Sequence, residues 1–148
     1  MIEIKKVTME EDIVKQLIEL SYVWEKEDIT FGLIPNERSD LKEPCYAALE
    51  GNRIVGYTFG HFYEEEKKYG DIEIGDKCFM IDELYVIREY RSQGIGRKLF
   101  KAMEEEVKDQ VKFVTLATST KDYLRILHFY HDDVDMTFHN AFLYKRMK

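Results

Sequence analysis

The stretch richest in groups that could do chemistry is Met80–Phe100, which reads as an apolar strand, a basic turn and the start of a helix. Gly94 and Gly96 lack side chains, so a phosphate group could come close to the main chain there. A helix that begins at this point presents free N–H groups and the positive end of its dipole, which together suit a pyrophosphate. Further positive charge would come from Arg91, Arg97 and Lys98.

Taken alone, the two glycines favour a simple tight turn that caps the helix. The dinucleotide pattern GxGxxG fails because Leu99 stands where its third glycine belongs, and the Walker pattern GxxxxGK[ST] is absent. A nucleotide-binding domain is therefore disfavoured. The context strengthens the signal, because Arg91 lies three residues before Gly94 and an apolar strand ends upstream at Leu84-Tyr85-Val86.

Read together, Arg91-x-x-Gly94-x-Gly96 and Leu84-Tyr85-Val86 resemble motif A of the GNAT family of N-acetyltransferases. The resemblance implies that N–H groups from Gln93 to Lys98 hold the pyrophosphate of coenzyme A. It also implies that backbone groups of Leu84 and Val86 pair with the pantetheine arm, as an added strand would. The expected acetyl-CoA-binding residues are Leu84, Tyr85, Val86, Arg91, Ser92, Gln93, Gly94, Ile95, Gly96, Arg97 and Lys98.

Acetylation of an amine by a thioester requires a neutral amine and a protonated leaving thiolate. In the family that this sequence resembles, a tyrosine on the last helix commonly protonates the sulfur, and Tyr130 matches its position. The surrounding pattern departs from the family, which often has asparagine where Tyr123 stands. The alternative is that Tyr130 is only a core residue of an amphipathic helix.

Glu83 is the candidate for the base or for the group that positions the amine, with Asp82 next. A carboxylate in an otherwise apolar strand is costly to bury unless it has an ionic or hydrogen-bonding partner or takes part in catalysis. Regular alternation would place one of the two on the opposite face of the sheet, and ordered water could replace a single base. His128 and His131 lack a third ligand at suitable spacing, so no metal is expected.

The amine acceptor is expected near Trp24–Phe31, where aromatic and acidic residues are mixed. That combination suits an organic cation, although a solvated loop with one buried tryptophan is the alternative. Few residues follow Tyr130, which leaves two hypotheses: an unusually open acceptor cleft, or a cleft completed by a second subunit in a homodimer.

The elements that must position these groups follow from periodicity and turn residues. Gly51-Asn52 suits a two-residue hairpin turn. Helical spacing gives two apolar stripes: Ile13, Leu17, Leu20 and Trp24, and then Ile95, Leu99, Met103 and Val107. The order β-α-(α)-β-β-β-α-β-α-β predicts an α/β fold, a mixed sheet with helices on its faces. The resemblance to motif A implies that this is the GNAT fold, a central twisted mixed sheet flanked by about four helices. Strands are expected at Ile2–Val7, Cys45–Leu49, Arg53–Tyr63, Lys77–Ile87, Val111–Ala117 and Asn140–Met147. Helices are expected at about 9–25, Ile29–Leu33, Gly94–Asp109 and about 123–130.

Length and charge limit the number of domains and the classes of binding partner. The 148 residues fit one domain, 1–148, and the net charge of −7 argues against a nucleic-acid partner. The acidic balance either attracts cationic partners or simply aids solubility. Two cysteines without motif spacing, no leader pattern and no long apolar run predict a cytoplasmic protein with no membrane partner.

The sequence thus predicts an enzyme that transfers acetyl from acetyl-CoA, as co-substrate, to a primary amine of a cationic acceptor by direct attack. The acceptor itself, whether small molecule or peptide, is not identified. The alternative from another class is a non-catalytic acyl-CoA-binding or regulatory module with the same fold.

Overall fold

A computed structural model describes residues 1–148, which form a five-stranded mixed sheet with helices on its faces. Neighbouring strands pair antiparallel from the first to the fourth, and the fifth joins the fourth in parallel. In sheet order the strands are β1 (Ile2–Val7), β2 (Cys45–Glu50), β3 (Arg53–Glu64), β4 (Lys77–Val86) and β5 (Phe113–Thr115). The helices are α1 (Glu11–Glu27), α2 (Ile95–Val107) and α3 (Tyr123–His128), which continues into a π-helical turn, Phe129–Asp133. The predicted α/β fold with a mixed sheet is confirmed.

The two long helices cover opposite faces of the sheet. Tyr85 of β4 stacks on Trp24 of α1 with ring centroids 4.8 Å apart. Its neighbour Val86 lies instead beside Gly96 at the start of α2. Adjacent residues of a strand point to opposite faces, so α1 and α2 lie on different sides. In α2 the whole predicted stripe is buried: Ile95, Leu99, Met103 and Val107. In α1, Leu17 and Leu20 of the predicted stripe are buried, whereas Ile13 and Trp24 are half-buried.

The β2–β3 hairpin turns at Gly51-Asn52, as the sequence predicts. Gly51 has a φ of +62°, a left-handed conformation that glycine adopts without steric cost. This hairpin places β3 in the middle of the sheet, next to the strand that carries the candidate acidic residues.

A β-bulge interrupts β4 beside the candidate site. Phe59 pairs with Glu83 while the next residue of β3, Gly60, pairs with Ile81, so Asp82 is the extra residue. A bulge of this kind re-aims the side chains that follow it. Ile81 packs with Phe79 in the cluster on the α2 side, whereas Glu83 faces the α1 side with Tyr57.

The C-terminal prediction is wrong, since residues 140–147 form no strand. The pattern of this segment fits a strand, but a strand needs a neighbour for its backbone groups, and the sheet ends at β5, which is only three residues long. The predicted Val111–Ala117 strand is likewise reduced to Phe113–Thr115. Large apolar side chains of the tail, such as Phe142 and Leu143, are therefore exposed.

The helix expected at Ile29–Leu33 is also absent, so three α-helices stand where about four were predicted. Instead Thr30 forms an isolated antiparallel bridge with Thr120, and the N–H of Phe31 donates to the carbonyl of Ser119 at 2.9 Å. Pairing with another segment replaces the helical hydrogen bonds that this stretch would otherwise make. No helix combines the length and apolar character that crossing a membrane requires.

Candidate active site

A cleft of about 580 Å³ opens where β4 and β5 separate. The two strands pair only between Cys78–Met80 and Phe113–Thr115, so the rest of β4 has a free edge on that side. The cleft gathers segments that are distant in sequence: the end of α1 and the loop after it, the second half of β4, the start of α2, the residues after β5, and α3 with its π-helical turn.

The free edge of β4 presents backbone groups of Leu84 and Val86. The N–H of Ile87 donates to the carbonyl of Val55 at 3.0 Å, which makes Gly56 and Val86 a non-hydrogen-bonded pair in the β3–β4 ladder. The N–H and C=O of Val86 therefore point away from β3. By the same alternation, those of Leu84 do so too. The Val86 carbonyl already accepts the Arg91 Nε–H at 2.8 Å, so the Val86 N–H and both groups of Leu84 are the ones with which an extended ligand with amide groups could pair.

The turn before α2 holds a run of unused donors. The N–H groups of the six residues from Ser92 to Arg97 donate to no acceptor in the chain. The run ends before Lys98, whose N–H donates to the Gly94 carbonyl at 3.1 Å. The Lys98 amide is therefore not free for a ligand, which differs from the expectation that N–H groups from Gln93 to Lys98 all hold the pyrophosphate. Ser92 and Gly94 have φ values of +63° and +80°, and these left-handed residues form the turn that leads into the helix. Such a row of amides at a helix start suits a pyrophosphate.

The two glycines of the motif are needed for different reasons. At Gly94 the reason is backbone conformation, because φ is +80°; space is not the reason, since a Cβ would meet nothing within 4 Å. Gly96 has ordinary helical geometry, and a Cβ would lie 3.5 Å from the ring of Phe129, an ordinary contact. Its missing side chain instead leaves the surface of the helix start open to a ligand.

Arg91 is committed to the protein rather than to a ligand. Its Nη2 donates to both carboxylate oxygens of Glu27, at 2.7 and 3.0 Å, and its Nε donates to the Val86 carbonyl at 2.8 Å. Glu27 also accepts a 2.6 Å bond from the hydroxyl of Tyr85, whose ring lies 5.5 Å from the guanidinium carbon. The expectation that Arg91 adds free positive charge beside the pyrophosphate needs correction, because Glu27 neutralises it.

The other predicted coenzyme residues divide into two groups. Gln93 and Lys98 do not line the cleft, and the Gln93 side chain bonds back to the carbonyl of Glu89. Arg97 is exposed at the cleft and reaches only the backbone carbonyl of Asp133, at 3.3 Å, so its charge is unpaired. The cleft is also lined by Leu84, Tyr85, Val86, Arg91, Ser92, Gly94, Ile95 and Gly96.

Glu83 lies at the cleft, half-buried, with two neutral partners. Its Oε1 accepts hydrogen bonds from the hydroxyl of Tyr57 at 2.6 Å and from Nδ2 of Asn36 at 2.9 Å. Burial raises the pKa of the Glu83 carboxyl above its ordinary value, while the two hydrogen bonds act in the opposite direction. Both bonds go to one oxygen, which leaves Oε2 available to another donor.

Asp82 faces the same side of the sheet as Glu83, contrary to the expected alternation. It bonds His61 at 2.9 Å and Lys42 at 3.0 Å. His61 and Tyr57 are four residues apart on β3 and so share a face, which places their partners on that face as well. The bulge in β4 explains this arrangement. Two cationic or polar partners already occupy Asp82.

The acceptor segment combines aromatic and apolar side chains with carboxylates that are already paired. Trp24, Ile29, Phe31 and Leu33 line the cleft, and the Trp24 indole N–H donates to the hydroxyl of Thr30 at 3.2 Å. None of the three acidic residues of this segment lines the cleft: Glu27 pairs with Arg91, Asp28 pairs with Lys121 at 2.8 Å, and Glu25 is exposed.

Tyr130 also lines the cleft, within the π-helical turn that follows α3. Its ring meets that of Phe129 edge-on, with centroids 5.1 Å apart. Burial raises the pKa of Tyr130 to about 12. No side chain of the protein bonds its hydroxyl, which is not sealed from solvent. π-helical turns are frequent at functional sites.

Sequence reasoning missed the residues that hold Glu83 and Arg91. Tyr57 is predictable in principle. Once β3 and β4 are aligned as neighbouring antiparallel strands, Tyr57 lies close to Glu83, and its hydroxyl can reach a carboxylate. The sequence places Glu27 only within the mixed aromatic and acidic segment Trp24–Phe31. Asn36 carries no sequence signal, because its contact with Glu83 depends on an irregular loop.

Comparison with known proteins agrees with the fold and the motif. The profile described as the Acetyltransferase (GNAT) family matches residues 11–133. Comparison with curated proteins gives no match. Several solved structures have the same fold over nearly the whole chain.

One is a predicted acetyltransferase from Clostridium acetobutylicum with acetyl-CoA, 16% identical, with a TM-score of 0.68 over 99% of this chain and 97% of that chain. Another is an aminoglycoside acetyltransferase from an uncultured soil metagenomic sample, 20% identical, TM-score 0.67, with the same coverage. A third is a ribosomal-protein-alanine N-acetyltransferase from Brucella melitensis, 13% identical, TM-score 0.65, over 99% of both chains. Since the family profile spans most of its length, this chain belongs to the GNAT family of acetyltransferases.

Proposed function

We propose that the protein transfers the acetyl group of acetyl-CoA to a primary amine. The observation that carries this proposal is one continuous cleft in which the free amides of residues 92–97, the free edge of β4 and the carboxylate of Glu83 follow one another. Acetyl-CoA as co-substrate is further supported by the similar structure from Clostridium acetobutylicum, which contains it.

The donor would bind through its two polar parts. The pyrophosphate lies against the amides from Ser92 to Arg97, with Arg97 as the free cation beside it. The pantetheine arm pairs with backbone groups of Leu84 and Val86 along β4. This arrangement directs the thioester toward the bulge at Asp82 and toward Glu83.

The acceptor enters as an ammonium ion and must lose a proton before it attacks. Glu83 binds the ammonium through Oε2 and takes that proton, directly or through a water molecule. Its raised pKa makes it a better proton acceptor than an exposed glutamate. The amine nitrogen then bonds to the carbonyl carbon, the C–S bond breaks, and the products are an acetamide, coenzyme A and one proton.

Tyr130 would assist the departure of the sulfur. With a pKa of about 12 its hydroxyl keeps its proton at neutral pH. A thiol has an ordinary pKa of about 8.5, so complete proton transfer from Tyr130 would be uphill. Tyr130 therefore acts mainly as a hydrogen-bond donor to the developing thiolate, and solvent supplies the final proton.

The test is acetyl-CoA-dependent release of free thiol with a panel of primary amines, read together with acetyl-CoA binding by calorimetry. The proposal predicts tight binding and amine-dependent release. Binding without release for every amine would support the non-catalytic module instead. A cytoplasmic location and a homodimer stay predictions from the sequence.

A further inference from the structure

We propose that the acceptor is a monocationic primary amine carried on an apolar or aromatic body, and not a polycation. This inference rests on the proposed function and narrows its substrate class. It concerns the acceptor end of the cleft, defined here as residues 24–33 together with Asp82 and Glu83.

Three of the five acidic residues of the acceptor end, Glu27, Asp28 and Asp82, are paired with resident cations. Glu27 holds the guanidinium of Arg91 at 2.7 Å. Asp28 is 84% exposed and bonds the ammonium of Lys121 at 2.8 Å. An ammonium group of the substrate would have to displace these partners before it could use either carboxylate.

Asp82 is occupied as well, by Lys42 at 3.0 Å and His61 at 2.9 Å. Glu83 differs from all three carboxylates, because its hydrogen bonds come from Tyr57 and Asn36, which carry no charge.

Two further carboxylates, Asp40 and Asp133, lie near the site, but neither offers the acceptor end a free negative charge. Asp40 is near enough for its charge to raise the pKa of Glu83, but it is exposed, does not line the cleft, and accepts the N–H of Glu37. Asp133 lines the cleft at the opposite end, beside Arg97. Glu25 also lacks a cationic partner, but it is exposed outside the cleft. Glu83 is therefore the one carboxylate lining the cleft at the acceptor end that has no cationic partner.

Apolar surface surrounds this single charge. The rings of Trp24 and Phe31 and the side chains of Ile29 and Leu33 line the acceptor end. Phe31 is 53% exposed, with the Lys121 ammonium 5.2 Å from its ring centre. A hydrocarbon or aryl body would bury this surface, which is favourable in proportion to the apolar area covered.

A second ammonium on the acceptor would find no further free carboxylate inside the cleft at the acceptor end, because Glu25 lies outside it. It would lose hydration without gaining an ionic partner, which is unfavourable. It would also lie near the cations that already neutralise Glu27, Asp28 and Asp82. The structure thus favours one positive charge on an apolar body over several charges on a polar one.

The test compares hexylamine with hexamethylenediamine, a pair that differs only by a second amino group, together with phenethylamine and neamine. We expect kcat/KM for the two monoamines to exceed that for the diamine and for neamine by roughly tenfold, or about 1.4 kcal/mol. Equal or faster turnover of the diamine or neamine would overturn the inference while leaving the proposed function intact. Absence of turnover with every amine would overturn both.

A second experiment frees one of the paired carboxylates of the acceptor end. The double variant Lys42→Met, His61→Gln removes both partners of Asp82, and we expect the diamine-to-hexylamine ratio of kcat/KM to rise several-fold. Lys101→Met is the matched control, since it removes an exposed lysine paired with Glu104 outside the cleft. A ratio that is unchanged in the double variant, or that rises equally in the control, would contradict the proposal.

Discussion

Glu83 owes its properties to a bulged strand and two neutral donors. Tyr57 and Asn36 fix Oε1, and burial raises the carboxyl pKa. In Glu83→Gln the amide oxygen can still accept both bonds, but the base and the anchor for the ammonium are lost. We expect kcat/KM for the amine to fall on the order of a hundredfold, with acetyl-CoA affinity unchanged in calorimetry. A fall in acetyl-CoA affinity with unchanged kcat would contradict this role.

The same residue predicts a pH dependence. Because the Glu83 pKa is raised, the carboxylate is lost on acidification at a higher pH than for an exposed glutamate, and amine acetylation should decline there. The effect of pH on the contribution of Glu83 to folding stability has the opposite direction to its effect on activity. A raised folded-state pKa contributes stability at low pH that disappears as the pH rises through that pKa. Glu83→Gln should therefore be at least as stable as the parent at neutral pH, as thermal melts would record; a clear loss would contradict this.

Tyr130 lines the cleft with a hydroxyl that no side chain of the protein bonds. We expect Tyr130→Phe to lower kcat about a hundredfold or less, with little change in the acetyl-CoA dissociation constant. With a pKa of about 12, its loss should lower the rate equally across the neutral range. Tyr123→Phe is the matched control, because Tyr123 is 59% exposed and outside the cleft. Unchanged acetyl transfer by Tyr130→Phe at every pH would exclude the role.

At the scale of elements, Glu27 joins α1 to β4 and to the turn before α2. It accepts two bonds from Arg91 and one from Tyr85, and its side chain is only 14% exposed. We expect Glu27→Gln to lower the free energy of unfolding by about 2 kcal/mol in denaturant titrations. The control Glu104→Gln breaks a surface pair with Lys101 and should cost less than about 0.5 kcal/mol. Equal effects of the two variants would contradict a structural role for this pair.

Alanine substitutions at Gly94 and Gly96 distinguish a glycine needed for the turn before α2 from one needed for ligand binding. Gly94→Ala should cost about 1 kcal/mol of stability, because φ is +80°. Gly96→Ala should leave stability unchanged or raise it, because the helix accepts a methyl group there. It should nevertheless weaken acetyl-CoA binding, measured by calorimetry, if the pyrophosphate lies against this surface. Normal affinity in Gly96→Ala would argue against that location.

The whole molecule has an exposed C-terminal tail that pairs with no strand. Removal of residues 140–148 should change the free energy of unfolding by less than about 0.5 kcal/mol, since surface segments contribute little. Denaturant titration with sedimentation analysis would measure both stability and assembly. A much larger loss, or a dimer that becomes a monomer, would show that the tail belongs to an interface, as the homodimer predicted from the sequence would allow.

Local patterns predicted much of this molecule. The stripe of α2, the Gly51-Asn52 turn and the motif at Arg91–Gly96 are fixed by neighbouring residues, and each has the predicted structure. The pairing of Arg91 with Glu27 was not predictable, because it joins residues far apart in the chain. The common face of Asp82 and Glu83 depends on a bulge that changes the strand alternation. The tail misled the prediction because an alternating pattern does not specify a partner strand.

The most direct test of the whole account follows the acetyl group itself. Acetyl-CoA carrying isotope in the acetyl carbonyl is mixed with the enzyme and phenethylamine, and the label is followed by NMR. We expect the label to appear in the acetamide at the rate at which free thiol is released, and both rates to fall together in Glu83→Gln. Label that remains in bound acetyl-CoA, or thiol release that yields only labelled acetate, would contradict acetyl transfer to the amine.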